Sequence, residues 1–387
     1  MYRKMKMRVA IAAFALAALA WPGVCVARLD AVIDYEPLIR KAEHVVVVRT
    51  GKVDGKAFTA ELAVIRALKG DATGTLVLDW SALGLRGRME RSAYPQEGDI
   101  AVAALTRAGA VFRLDGGRFL ASGLTSPDDV QVAVFDTYCR LVKLGEATAP
   151  GVEKARLELL RTQAKEDRWQ YRYAALNVAA EKVPAASRGE LVVLLLQALK
   201  DSEPKVVAEA IRDCALSKWC VTEAADPILA ILNAEKRPDW EVLEAALRRV
   251  GGLDAGKAFD TLVRFAGDRS GTVREAAVFG LMFGRDKKKI EPLLKAMRDS
   301  NGLVRARACE ALENVPDKRV VPALIEALVD PEGAVRQPAF RVLESWTGQR
   351  LGYNPNDPLH LDATVAEWRK WWARNEGTVS LPDSPKK

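Results

Sequence analysis

In six places along the chain an apolar or aromatic residue is followed four positions later by alanine and eight positions later by another apolar residue. The first members are Tyr171, Val206, Val242, Val273, Val304 and Val335, and the alanines are Ala175, Ala210, Ala246, Ala277, Ala308 and Ala339. The series ends at Ala179, Cys214, Val250, Leu281, Leu312 and Leu343. This spacing lines one face of a helix, and a small residue at its centre lets two helices approach closely. Successive units lie 35, 36, 31, 31 and 31 residues apart. Between them come second apolar segments at Leu191–Leu199, Ile228–Leu232, Phe259–Phe265, Ile290–Met297 and Val320–Val329, so each period reads helix, turn, helix. One such pair cannot bury its apolar face alone; the units must stack. A stack of this kind makes a long surface for holding something, and the period by itself names no partner.

The turns between units carry aspartate at Asp201, Asp268, Asp299 and Asp330. Three read DRSGTVREAA, DSNGLVRARA and DPEGAVRQPA. On these motifs residues 152–347 resemble HEAT-like repeats, about six of them, of the bacterial type with Asp, four residues, Val-Arg and then alanine. Val206-Val207 and Val242-Leu243 depart from the pattern by lacking the arginine. The resemblance implies a right-handed α-solenoid used for protein binding and rarely for catalysis. An aspartate ahead of a helix can accept backbone N–H groups and meets the positive end of the helix dipole. Arg274, Arg305 and Arg336 are expected to pair with Asp268, Asp299 and Asp330, or with the aspartate of a stacked neighbour, forming a structural ladder. The alternative is a basic stripe for an anionic ligand.

The remainder of the chain is of a different kind. Arg3, Lys4, Lys6 and Arg8 precede the apolar run Val9–Ala20, Pro22-Gly23 breaks it, and Cys25-Val26-Ala27 follows. That order predicts a secretory signal over residues 1–27, too short in its apolar run for the roughly 20 residues that span a bilayer. An uncleaved anchor and a lipid-modified Cys25 are the alternatives. Residues 28–145 read as a β-rich domain ending in a helix, with strands at Val45–Val48, Phe58–Leu68, Leu76–Leu78, Ile100–Leu105, Val111-Phe112 and Phe119-Leu120, and a helix over 128–144 introduced by Ser126-Pro127-Asp128. Its HVVVVRTGKV, FTAELAVIRALKG and YPQEGD segments resemble small OB-like or netrin-like β-barrels of exported bacterial proteins, without the cysteine framework of the inhibitory netrin-like domains. A linker covers 146–151. Residues 348–376 form a closing segment, with Val365, Trp368 and Trp372 on one helical face and Trp371 alongside; a cap over the terminal repeat is expected, an aromatic cage the alternative. Residues 377–387 are expected to form a disordered tail. The fold class is therefore a two-module α+β chain: a small β-barrel or sandwich followed by an all-α HEAT-like solenoid.

The formal charge of +7 falls to +3 without the leader, which removes most of the case for nucleic acid as a partner. Residues two positions after each first member are Tyr173, Ala208, Glu244, Glu275, Ala306 and Gln337; those six positions after are Asn177, Arg212, Arg248, Phe279, Glu310 and Arg341. Both columns are expected to face outward. Mixed signs suit a protein or peptide better than a phosphate track, and Tyr173, Asn177, Arg212, Arg248, Phe279 and Arg341 are the candidate partner-binding residues. Of Cys139, Cys214, Cys220 and Cys309, the pair Cys214 and Cys220 could form a disulfide only if the helix ends between them, since a continuous helix would separate them by about 9 Å. Gly251–Ala258 has the GxxxxGK spacing of a phosphate loop, but Ala258 stands where a magnesium-binding hydroxyl is needed and a helix precedes it instead of a strand. His44 and His360 have no clustered partners, so no cofactor, metal or catalytic residue is assigned. The expected function is a non-catalytic protein-binding scaffold of the cell envelope or extracellular space. The first alternative is a regulator or inhibitor of an envelope enzyme acting through the β-domain; an enzyme and a nucleic-acid binder come after it.

Overall fold

The computed structural model describes residues 35–54, 59–79, 97–108, 111–114, 121–124, 126–145, 152–184, 187–214, 221–284, 286–354 and 361–382. The expected leader over 1–27, the expected linker over 146–151, Phe119-Leu120, Cys220, His360 and residues 383–387 lie outside them. The chain divides into two compact units, Met1–Leu159 and Leu160–Lys387.

The first unit holds α1 (Tyr35–Lys41), β1 (His44–Asp54), β2 (Thr59–Lys69), β3 (Thr75–Asp79), β4 (Ile100–Ala108), β5 (Val111–Leu114), β6 (Ala121–Leu124) and α2 (Val130–Leu144). The strands make one curled sheet in the order β1-β2-β3-β5-β4-β6, and β1 also pairs with β4. All neighbours run antiparallel except β3 and β5, which meet in parallel at Leu78 and Phe112. Val46, Val48, Leu62, Leu78 and Leu105 build its inner core. Val45 and Val47, on the opposite face of β1, are buried as well, which is why this strand reads as an unbroken β-branched run without alternation. β6 begins one residue after the segment expected for the last strand. Helix α2 starts at Val130 because Asp129, not Asp128, caps it: the Asp129 side chain accepts from Gln131 N–H at 3.0 Å. Helix α1 was not legible in the sequence. It packs Tyr35 edge-on against Phe135 at 5.1 Å, and the Lys69 ammonium donates to the Ile39, Arg40 and Ala42 carbonyls at its C-terminal end. Helix α3 (Val152–Gln163) opens the repeat segment, and the division between units falls inside it. Its N-terminal half belongs with the first unit: the Arg156 guanidinium, buried, binds Glu36 at 2.7 Å and donates to the Gly145 carbonyl at 3.3 Å.

In the second unit the helices alternate. The first helices of the repeats are α4 (Trp169–Lys182), α6 (Pro204–Cys214), α8 (Trp240–Leu253), α10 (Gly271–Gly280), α12 (Gly302–Leu312) and α14 (Gly333–Thr347). The second helices are α5 (Arg188–Ala198), α7 (Ala225–Leu232), α9 (Ala255–Phe265), α11 (Ile290–Ala296) and α13 (Val321–Ala327), and α15 (Leu361–Asn375) closes the stack. Each first helix packs on the next, α4 on α6 through to α12 on α14. All six central alanines are buried. Between α8 and α10 the approach is closer still: a Cβ on Gly251 would stand 2.1 Å from the Gly280 carbonyl oxygen, and one on Gly280 would stand 2.3 Å from that of Leu247. Backbone touches backbone there, and no side chain fits.

The end of the stack follows from local geometry. Gly348 ends α14 in the left-handed conformation (φ 71°), as helix C-termini favour. Leu351 and Gly352 also have positive φ, and the chain returns so that Tyr353 lies against Phe340 and donates to the Leu328 carbonyl at 2.6 Å. Val365, Trp368 and Trp372 of α15 are buried, while Arg369 on its outer face binds both Glu326 oxygens at 3.0 and 2.8 Å. Trp371, half-buried, lies beside both indoles, 6.0 Å from Trp368 and 6.3 Å from Trp372.

Candidate partner-binding surface

Two ladders of charged side chains link the repeats. The first runs along the turns. Arg274 donates to both oxygens of Asp299 (2.7 and 2.6 Å), and Arg305 to both of Asp330 (2.7 and 2.8 Å). The same guanidiniums also donate to main-chain carbonyls of their own turns, Arg274 to Asp268 and Arg305 to Asp299. Of the two pairings open from sequence, the side-chain bonds go to the neighbour and the carbonyl bonds stay within the repeat. Arg336, in the last repeat, likewise donates to the Asp330 carbonyl at 2.7 Å. The bidentate bond from Arg274 holds the Asp299 carboxyl below the usual carboxylate range, against the opposing effect of burial.

The aspartates do not cap the helices. Asp268, Asp299 and Asp330 accept from the N–H groups of Ser270, Asn301 and Glu332, and those three residues are themselves the N-caps. Each aspartate therefore closes the turn two residues before the cap, which leaves its other face for the arginine of the previous repeat.

Two members of this ladder were missed in the sequence. Arg172 follows Tyr171 as Arg274 follows Val273, and it grips Asp201 at 2.7 and 2.9 Å. Arg237 stands five residues before Val242, the place held by aspartate in the neighbouring repeats, and it reaches Asp268 at 2.8 Å. It supplies the cation that Leu243 does not.

The second ladder lies on the first helices. Expected to face outward, the column of Tyr173, Ala208, Glu244, Glu275, Ala306 and Gln337 is instead largely turned in: Ala208, Glu275 and Ala306 are buried, and only Gln337 is exposed. Close stacking of the helices around the central alanines covers these positions. Glu275 is 4% exposed and accepts from Arg248 of the preceding repeat and, at 2.7 Å, from Arg307 of the next. Arg248 also binds Glu244 at 3.0 Å and Arg307 binds Glu310 at 2.6 Å. Both guanidiniums lie over the Phe279 ring, at 5.1 and 5.4 Å, a cation–π arrangement. One repeat group earlier, buried Glu209 accepts from Asn177 at 3.1 Å and Arg212 at 3.4 Å. Tyr173 is nearby; burial, with the Glu209 charge second, pushes its hydroxyl well above the ordinary phenol range. Arg341, exposed, reaches Glu313 at 3.4 Å. Of the six candidates, Arg248 and Phe279 form one cluster, Tyr173, Asn177 and Arg212 another, and Arg341 stands apart. Glu209 and Arg307 were missed. Both sit three residues after a first member, in a column otherwise Ala174, Ala245, Ala276 and Pro338; charge among small apolar residues was the available signal.

The remaining sequence candidates resolve into structure. Gly251–Leu253 ends α8, and the Asp254 side chain caps α9 by accepting from Lys257 N–H at 3.0 Å, so the cap already occupies the Lys257 N–H. Lys257 pairs with Asp226 at 2.9 Å. His44 is half-buried with Asp71 at 3.8 Å. Cys214 is the last residue of α6 and is buried, and its carbonyl accepts from Val221 N–H at 2.8 Å. Among the described residues no group of three or more His, Cys, Asp or Glu is placed to hold a metal, and no helix is long and apolar enough to cross a membrane.

The family of HEAT repeats matches residues 191–282 and 290–352. The second unit is thus a HEAT-like helical-repeat solenoid. Among solved structures, an Escherichia coli protein, YibA, is 15% identical, with the similarity covering 62% of this chain and 95% of that one at a TM-score of 0.40. A designed armadillo repeat protein is 19% identical over 53% of this chain and 98% of its own, TM-score 0.35. Another, solved in complex with the peptide (KR)4, is 19% identical over 53% and 97%, TM-score 0.35. No curated protein matches the chain.

Proposed function

We propose that this protein is a non-catalytic scaffold that holds another protein on the solenoid surface, exported by its 1–27 segment to the cell envelope or beyond. The observation that carries this reading is the cluster around Glu275. A buried carboxylate fixes side chains from the repeats on either side of its own, and the fixed groups still reach the surface: the Arg248 and Arg307 side chains are 23% and 34% exposed. Rigid arginine and aromatic groups lose little entropy on association and are the residues that dominate protein interfaces. The charges along the strip alternate in sign, which does not suit a phosphate backbone. In the first unit the pairing path β1-β2-β3-β5-β4 returns to β1, which supports reading it as an OB-like barrel that gives a second contact. The exposed Ile65 and Val77 side chains of β2 and β3 favour the alternative, a regulator acting through that sheet.

The test is site-specific photocrosslinking in cells making the full chain, with the reactive residue at Arg212, Arg341 or Ile65. Adducts of one protein at the two solenoid positions are the expected result. Adducts at Ile65 alone would transfer the function to the first unit, and a chain recovered wholly in the cytoplasm would overturn the location.

A further inference from the structure

We infer that the partner presents an extended, uncharged peptide segment to the repeats built on α8, α10 and α12, with one apolar side chain seated beside Phe283; this rests on the scaffold reading above. Each guanidinium in the cluster is held by only some of its donors. Arg248 uses Nε and Nη2, and Arg307 uses Nε and Nη1. Arg248 Nη1 and Arg307 Nη2 have no acceptor among the described residues. Both planes are locked over Phe279, so these unused N–H groups point in fixed directions and are pre-organised for an incoming acceptor.

Local charge selects the kind of acceptor. Glu244, Glu275 and Glu310 set three carboxylates against the two guanidiniums. A fourth carboxylate would enter a site already over-compensated, whereas a peptide carbonyl satisfies the same donors without adding charge. An extended chain offers such carbonyls at regular intervals.

An apolar anchor site adjoins the clamp. Phe283 is 37% exposed and stacks edge-on against Phe279 at 6.0 Å. It also walls a small cleft with Phe259, Leu262 and Gly256, and the Lys288 ammonium lies over Phe259 at 4.4 Å at the rim. The cleft is held open from below. The buried Lys289 ammonium donates to the Leu281, Met282 and Gly284 carbonyls at 3.1, 3.1 and 2.9 Å, fixing the turn that carries Phe283. Donors for a main chain beside a preformed apolar pocket are the elements by which peptide grooves combine affinity with side-chain selection.

The experiment measures binding of short synthetic peptides to the full chain by fluorescence anisotropy. Three series share one leucine or phenylalanine anchor and differ in background: neutral, glutamate-containing and lysine-containing. The neutral series is expected to bind best, with little dependence on salt, and to weaken about tenfold with Phe283→Ala and with the charge-keeping Arg307→Lys. Thermal unfolding of each variant separates loss of the site from loss of the fold. Preference for the acidic or the lysine-containing series, no binding by any series, or binding unchanged in Phe283→Ala would overturn the inference. If Phe283→Ala leaves partner crosslinking at Arg212 and Arg341 intact, this inference fails while the scaffold reading stands; if crosslinking is absent in the wild-type chain, the scaffold reading itself has failed.

Discussion

The turn ladder is built in two ways, and the contrast shows what it requires. In the C-terminal half, Arg274 and Arg305 each bind a carboxylate with two bonds while also holding carbonyls of their own turn, and their side chains are only 15% and 12% exposed. In the middle of the stack Val207 and Leu243 stand where arginine would be, and Arg237 stands where aspartate would be. One bond from Arg237 to Asp268 remains, from a side chain 53% exposed. The requirement is therefore a cation within reach of the next turn's carboxylate, not arginine at a fixed place. The two solutions differ in strength, since bidentate and partly buried pairs outlast solvent and salt better than single exposed ones.

The largest effect should come where the two halves meet. Gly280→Ala puts a methyl group against the Leu247 carbonyl, so α8 and α10 must separate; a loss of about 3 kcal/mol, or no folded protein, is expected by denaturant unfolding. Lys289, just beyond this seam, comes next. Burial lowers its pKa to about 8, below its unfolded value of about 10.4. Below about pH 8 both states carry the charge and the cost of burying it is fully present. As pH rises from there towards 10.4 that cost is relieved, so wild type should gain on Lys289→Met by up to about 3 kcal/mol. Unfolding of both at pH 7, 9 and 10 measures it; a constant difference would contradict the assignment. Arg305→Ala should cost about 2 kcal/mol, because the buried edge of Asp330 loses its partner. Arg237→Ala should cost no more than about 0.5 kcal/mol. Equal losses for those two would erase the distinction between the halves.

The repeat was legible because burial on stacked helices imposes its own period, and the apolar, alanine, apolar series has no other physical use. The direction of the turn ladder was not. Asp268 lies six residues before Arg274 and Asp299 lies 25 after it, and only stacking brings the distant one as near as the local one. The strip around Glu275 was half legible. Arg248 and Phe279 stood out as chemistry on a surface column, but the carboxylate that orders Arg248 and Arg307 sits in a column read as exposed, and nothing along the chain reveals that α8 and α12 close over it. In the first unit the strands were visible as β-branched runs, whereas the β1–β4 pairing depends on contacts between distant segments and has no local mark.

Because the turns at Asp268 and Asp299 each receive a bond from the repeat before and carry the arginine that binds the turn after, the unit between them can be removed without leaving an unpaired end. Excising the 31 residues 273–303 would place Asp268 five residues ahead of Val304, as Asp299 is now. Arg237 would still meet Asp268, and Arg305 would still meet Asp330. A chain wired in this way can lengthen or shorten by gene duplication and deletion in single steps of one period, and any other step breaks the wiring. Its length is free to follow the size of what it must hold.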